Sequence, residues 1–221
     1  MPASHTPALI LASRSPRRRD LMALLGMPFQ VREAPGAEEN TRINPQWPPE
    51  KVAEELALAK AQSVANQYPE AIVLGADTIV VLEGSVLGKP RDSQEALQML
   101  RALKGRSHSV ITGVALVRES TGTRLLSHCA TEVTMRRYSD KEMKAYVASG
   151  SPMDKAGAYG IQDSPFRPVE RVYGCYQNVV GLPLCKLVEM LKAIGINGQK
   201  EVPEAPDSCP YCAGLAHNST A

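Results

Sequence analysis

Two hydroxyls and four guanidinium groups stand within the seven residues Ser13-Arg14-Ser15-Pro16-Arg17-Arg18-Arg19, directly after the apolar run Ala8-Leu9-Ile10-Leu11-Ala12. If that run is a buried strand and Pro16 opens a helix, the junction offers hydroxyls, helix N–H groups and charged donors at one point. Such a junction is a receptor for phosphate. Arg17 and Arg18 then fall in the first helical turn, where positive charge opposes the helix dipole, and a bound anion removes the conflict. An exposed basic run, or a Ser/Arg targeting or phosphorylation patch, has the same composition. The position after a strand favours phosphate, because α/β proteins hold phosphates at strand-to-helix junctions.

Other candidates are scattered along the chain. Asp77 lies between the apolar segments Ala71-Ile72-Val73-Leu74-Gly75 and Thr78-Ile79-Val80-Val81-Leu82. A carboxylate there either accepts backbone N–H groups structurally or acts on a cation or a water. Lys60 sits between Leu56 and Val64 at i, i+4 spacing, in line with an apolar stripe, and either snorkels to water or meets an anion. In Asp154-Lys155-Ala156-Gly157-Ala158-Tyr159-Gly160-Ile161-Gln162, charges and glycines cluster with a tyrosine and an amide. Glycine lets backbone approach a ligand, and Gln162 can pair with both a donor and an acceptor on a base edge; a tight turn has the same composition. Tyr159 either covers a base or fills a wall. Cys209-Pro210-Tyr211-Cys212, followed by His217, has the spacing of half a zinc site, whose fourth ligand has to come from elsewhere in the chain or from a second subunit. Lone CxxC pairs in terminal segments are common.

These residues need elements to position them. Ser15 is a good N-cap and Pro16 suits the first helical position, with Leu21, Leu24 and Leu25 at helical spacing before Gly26. A second strand is expected over 29–33, a loop over 35–49, and a helix from Pro49 to about Tyr68 whose apolar stripe is Val52, Leu56, Ala59 and Val64. Strands over 71–75 and 78–82 leave Asp77 at a strand end or bulge, and Glu83-Gly84-Ser85 turns the chain back toward Gly88-Lys89-Pro90. A helix over 93–103, strands over 110–117 and 125–135, a helix over 139–148 and a final helix through Leu187, Val188 and Leu191 complete the pattern. The βαβ order with added strands predicts a mixed sheet with helices on its faces.

The chain has 221 residues, 43% of them hydrophobic, enough for one large domain or two small lobes around a real core. A formal net charge of +2 gives no drive toward nucleic acid or anionic membrane, and 5% aromatic content disfavours a base-stacking surface. No run approaches the ~20 apolar residues of a membrane span, and Met1-Pro2-Ala3-Ser4-His5 does not read as a signal peptide. Five cysteines, an odd number with Cys129, Cys175 and Cys185 scattered and Cys209 and Cys212 close together, do not resemble a disulfide framework, so a reducing, cytoplasmic compartment is expected.

Together, Ser13-x-Ser15-Pro16-Arg17-Arg18, Gly75-Ala76-Asp77-Thr78, Gly88-Lys89-Pro90, Thr112-Gly113, the string from Asp154 to Gln162 and Val180-Gly181-Leu182-Pro183 resemble the Maf family, over Ala8 to about Gly195. Maf proteins are nucleoside triphosphate pyrophosphatases, earlier described as inhibitors of septum formation. The resemblance implies an α/β fold of the kind shared with inosine triphosphate pyrophosphatases: an elongated mixed β-sheet flanked by helices, with two lobes and a central cleft. The Asp154 to Gln162 string is similar to that of the branch acting on dTTP and UTP, releasing monophosphate and pyrophosphate. By the same resemblance Asp77 is the proton acceptor, and Arg17, Thr78 and Gln162 occupy positions linked to base choice. Ser13, Arg18, Lys60, Lys89 and Lys155 fall near the triphosphate. A divalent cation, Mg²⁺ or Mn²⁺, is implied, with Asp77 and Glu39 as its candidate ligands. One departure is visible: the family often continues Ile-Gln-Gly, whereas Asp163-Ser164-Pro165 follows Gln162 here. The expected organisation is a Maf-like domain over 1–198 and a tail over 199–221, with a nucleoside triphosphate as partner, no nucleic acid, no membrane, and a homodimer as the assembly considered. The competing readings are a non-catalytic nucleotide-binding regulator of cell division, a nucleic-acid-binding module, and a pyrophosphatase for another modified nucleotide.

Overall fold

The computed structural model describes residues 7–34, 36–37 and 41–196. Strand β1 (Leu9–Ala12) is apolar and buried throughout, as a strand covered on both faces has to be. Helix α1 (Pro16–Ala23) starts as its sequence dictates: the Ser15 side chain accepts the Arg18 N–H, and Pro16 occupies the first turn, where its missing N–H costs nothing. β2 (Gln30–Arg32) pairs parallel with β1, Leu11 opposite Val31. After α2 (Pro49–Ala65), β3 (Ile72–Leu82) pairs parallel with the other edge of β1, Leu11 opposite Leu74 and Ala12 opposite Gly75. β4 (Ser85–Leu87) folds back antiparallel on β3, with Val81 opposite Val86.

Next come α3 (Ser93–Leu103), capped by the Asp92 carboxylate on the Glu95 N–H, then β5 (Ser107–Arg118) and β6 (Thr123–Met135). α4 (Asp140–Ala148) carries a reciprocal cap between Ser139 and Glu142. β7 (Val169–Tyr173) pairs antiparallel with β6, and α5 (Tyr176–Val180) and α6 (Leu184–Ala193) follow. The seven strands run in the order β2-β1-β3-β5-β6-β7, with β4 on β3, so the mixed sheet expected from the βαβ order is what forms.

The described chain sorts into two compact units, one made of residues up to Asp77, Gly113–His128 and Leu184 onward, the other of Thr78–Thr112 and Cys129–Pro183. In the first, Ile10, Ala12 and Val73 of the sheet pack against Ala57, Ala61, Val64 and Ala65 of α2. That face is not the stripe its larger residues suggest. Leu56 and Ala59 are only half-buried, while Val52, Ala53, Ala57, Lys60, Ala61, Val64 and Ala65 point inward. The reason is two glycines in the strands beneath. A Cβ on Gly75 would stand 2.1 Å from the Ala57 carbonyl oxygen, and one on Gly113 would stand 2.2 Å from that of Ala53. Backbone lies on backbone, and only alanines fit between. In the second unit, Val80, Leu82, Val110, Val133 and Met135 of the strands pack against Leu100 and Leu103 of α3, Met143 and Val147 of α4, and the aromatic residues Tyr138, Tyr159 and Phe166.

Two local expectations are corrected. β3 is continuous through Asp77, with no end or bulge at that residue. β7 and α5 form in a segment to which the sequence assigned nothing.

Candidate active site

Asp77 stands in β3 just past the level at which β1 ends, because Ala12 is in register with Gly75. The chain leaving β1 at that level is Ser13, which is buried. The Ser13 N–H donates to the Arg32 carbonyl at 3.1 Å, and its hydroxyl accepts the Ser15 N–H at 3.1 Å. Ser15 in turn caps Arg18, so the two serines build the turn as well as offering hydroxyls. Arg17 and Arg18 are half-buried in the first turn of α1, which contains no acidic residue. Arg14 is drawn off to Glu33, at 3.2 Å on the surface.

Lys60 reaches Asp77 from α2. Its ammonium donates to Asp77 Oδ1 and, at 3.4 Å, to the Ala76 carbonyl. Lys60 and Asp77 are each 8% exposed, so Lys60 does not snorkel to water but meets an anion in a buried ion pair. Away from bulk water the attraction between such charges is strong, and each is costly to leave alone. Ser13, Arg17, Arg18, Lys60 and Asp77 all belong to the first unit.

Thr78, Lys89, Lys155 and Gln162 belong to the second unit. Thr78, half-buried, lies 2.9 Å from the Thr112 hydroxyl, and Thr112 donates to the Asn178 carbonyl at 3.0 Å. Lys89 is exposed, just beyond β4. The Gly157 N–H donates to the Gly88 carbonyl at 3.0 Å, which ties the turn bearing Lys89 to the segment bearing Lys155. That tie needs Gly157 at φ 68°, a left-handed conformation that costs glycine little; Ala158, at φ 58°, follows it there under strain. The Lys155 ammonium donates to Asp154 Oδ1 at 2.8 Å and lies 3.9 Å from Asp163 Oδ2. Gln162 is exposed.

Asp163, the departure from the family string, is a tether. The Tyr146 hydroxyl donates to Asp163 Oδ2 and accepts the Gly160 N–H at 3.1 Å. Burial, together with that bond to a carboxylate, pushes the Tyr146 pKa well above its ordinary value, so Tyr146 keeps its proton. Tyr159 fills the core and does not cover a base: it is buried, and its hydroxyl lies 2.7 Å from His108 Nε2. Burial alone holds the His108 pKa down to about 4.

Thr112, Asn178, Tyr146 and Asp163 are the members of this neighbourhood to which no role was assigned from sequence. Two of them carried a signal: Thr112 stands in one of the family motifs, a hydroxyl in the stretch from Val110 to Val117, and Asp163 opens the departure after Gln162.

Glu39 lies outside the described residues, as do Cys209, Cys212 and His217 of the tail. Among the described residues no three His, Cys, Asp or Glu side chains gather into a metal site. Asp77 supplies one carboxylate, and a magnesium ion that keeps most of its waters takes one or two carboxylates from a protein. No helix among the described residues is long and apolar enough to cross a membrane.

The family model described as Maf-like protein matches residues 8–194. A curated relative from Symbiobacterium thermophilum, named dTTP/UTP pyrophosphatase, is 51% identical over 187 residues, which is 85% of this chain and 94% of that protein. One of the same name from Moorella thermoacetica is 48% identical over 189 residues, 86% of this chain and 96% of that protein. Among solved structures, a HAM1 protein from Coxiella burnetii aligns with a TM-score of 0.43 at 21% identity, covering 60% of this chain and 75% of that one.

Proposed function

This chain belongs to the Maf family, and from that premise we propose that it hydrolyses dTTP and UTP to the nucleoside monophosphate and pyrophosphate. The observation that carries the reading is the agreement of relatives 48% and 51% identical over nearly their whole length, both named for that activity. The buried Lys60–Asp77 pair beside the Ser13 to Arg18 junction is the chemistry such a reaction needs.

Asp77 takes the proton of a water as that water attacks the anhydride between the α- and β-phosphates; the anhydride bond breaks and pyrophosphate leaves. Lys60 holds the Asp77 carboxylate in place before substrate arrives and presents a cation to the phosphate oxygens afterwards. Ser13, Arg18, Lys89 and Lys155 contribute further donors for the triphosphate. Arg17, Thr78 and Gln162 select the base. A divalent ion, Mg²⁺ or Mn²⁺, would be held by Asp77, with Glu39 as the second candidate ligand, and supplies screening of phosphate charge and polarisation of the reacting phosphoryl group. The cytoplasm, where such substrates are made and used, is the proposed compartment.

A panel of nucleoside triphosphates with Mg²⁺ or Mn²⁺ tests the proposal. dTTP and UTP are expected to yield monophosphate and pyrophosphate by ion-exchange chromatography. Diphosphate and orthophosphate as products, or turnover of purine triphosphates alone, would show the assignment to be wrong.

A further inference from the structure

We propose that β7 is a docking edge for a second copy of the chain: two β7 strands pair antiparallel about a two-fold axis at Val172 and join two sheets into one. The proposal is independent of the functional reading, since none of its residues has been given a catalytic or binding role.

The strand order of the sheet ends at β7. An end strand offers a row of backbone N–H and C=O groups to any extended chain. Its side chains leave the approach open. Glu170, Arg171 and Tyr173 are exposed, and Tyr173, at 80%, is the most exposed large hydrophobic residue among those described. Tyrosine and arginine are also the residue types from which interfaces gain most. The edge is guarded as well: β7 has 5 residues, carries two charges, and its pairing with β6 shifts register between Thr134 and Met135. Short length, charge and a bulge keep an edge from pairing at random. A partner therefore has to match the side chains and not only the backbone.

The strand matches itself. Alternation puts Arg171 and Tyr173 on one face of the sheet, with their register partners Thr134 and Glu132 of β6 beside them. When a two-fold axis relates the strands of an antiparallel pair, residues equally far to either side of the axis stand opposite one another on the same face. With Val172 at the axis, Arg171 faces the partner's Tyr173, and Tyr173 faces the partner's Arg171. One row across the joined sheets then reads Glu132, Tyr173, the partner's Arg171 and the partner's Thr134, and the other row repeats it in reverse. Each guanidinium lies beside a ring that has a carboxylate on its far side, at the ~5 Å spacing of adjacent strands. On the opposite face the two half-buried Val172 side chains meet.

The neighbouring registers do not match. An axis at Arg171 sets two guanidiniums against each other, and one at Glu170 sets two carboxylates against each other; like charges directly opposite are destabilising. An axis at Tyr173 runs Arg171 against Cys175, which is buried and lies beyond the end of the strand. Charge thus selects both the occupant, a second copy, and its register. An edge of 5 residues covers less than a standard interface, so the dimer is expected to dissociate on dilution.

Sedimentation equilibrium of the full chain from about 10 µM to about 1 mM, the range in which small interfaces associate, tests the proposal. The proteins compared are the wild type, Tyr173→Arg, and the double variant Arg171→Tyr with Tyr173→Arg, with thermal unfolding of each. The wild-type average mass is expected to rise toward twice that of the chain. Tyr173→Arg sets guanidinium against guanidinium twice and is expected to weaken the dimer at least about tenfold. The double variant exchanges the two residues, restores the same pair about the same axis, and is expected to return within about threefold of the wild type. A wild-type protein that stays monomeric over the whole range overturns the proposal and leaves β7 to another partner. A dimer indifferent to Tyr173→Arg overturns it too, because such a dimer uses another surface. A double variant no tighter than Tyr173→Arg overturns the register and with it the proposal. Should Tyr173→Arg fail to fold, Arg171→Glu decides, since it takes the cation from the ring: its dimer must be weaker than that of the wild type, and an unchanged one overturns the proposal.

Discussion

A carboxylate inside an eleven-residue apolar strand is tolerable only if a positive group reaches it, and Lys60 is that group. Removing one partner of a buried ion pair costs about 3 kcal/mol, because the other charge is left behind. Asp77→Asn is thus expected to do two separable things: cut turnover by a factor on the order of 10², and lower the unfolding free energy by about 3 kcal/mol. Adding Lys60→Met should recover most of the stability and none of the turnover. Urea unfolding and pyrophosphate release on the single and double variants check this, and a double variant that regained activity would remove Asp77 from the chemistry. Half of the arrangement was legible beforehand. The type and setting of Asp77 marked it as a candidate with two readings, but its pairing with Lys60 was not visible until the fold brought α2 onto β3, since i, i+4 spacing describes a helix face but not what that face meets. Tyr159 stayed open for the same reason, and its partner His108 is 51 residues away in sequence.

Between elements, the decisive contact is α2 on the sheet. The alanines Ala53, Ala57, Ala61 and Ala65 form an i, i+4 row that reads as weakly hydrophobic, so larger residues drew the predicted stripe away from it. The signal was in the strands: Gly75 and Gly113 are expensive in a sheet unless something lies close above them. Gly75→Ala forces a methyl group to within 2.1 Å of the Ala57 carbonyl, so α2 has to lift, and Lys60 lifts with it. The expected loss is about 3 kcal/mol of stability, the upper range for overpacking, together with a fall in kcat as the Lys60–Asp77 pair is disturbed. Thermal unfolding and steady-state kinetics on Gly75→Ala measure both; a variant as stable as the wild type would mean that the helix does not sit where described. Other element boundaries misled for plain reasons. A β-averse aspartate suggested a break in β3, and β7 and α5, at 5 residues each, are too short to generate a readable period.

At the scale of the whole chain, the family was legible because six separated motifs fall in one order, while composition constrained little beyond the presence of a core. Composition does bear on pH dependence. With a formal net charge of +2 there is little global repulsion to build up near neutrality, so the change in stability on mild acidification is governed by individual buried groups. His108 is the group placed to act in that range. It is 4% exposed, and burial lowers its pKa from 6.5 to about 4. Above pH 6.5 the imidazole is neutral in both folded and unfolded chains, and it contributes nothing to the slope. Between 6.5 and 4 the unfolded chain takes up a proton that the folded one refuses, so stability falls with falling pH, by on the order of 3 kcal/mol in total, and levels off below 4. Glu142 acts lower down: the backbone N–H of Ser139, then the Ser139 hydroxyl and Arg136, hold its pKa down to about 2, so the stability it contributes is present above 4.5 and is lost only as pH approaches 2. The two windows barely overlap. Urea midpoints from pH 7.5 to 4.5 for the wild type and for His108→Gln, which cannot titrate, isolate the histidine contribution. The wild-type curve is expected to drop toward the variant's as pH falls below 6.5, whatever offset separates the two at pH 7.5. Curves that run parallel over the whole range would mean that His108 takes its proton in the folded protein, and that the pocket it shares with Tyr159 is open to water.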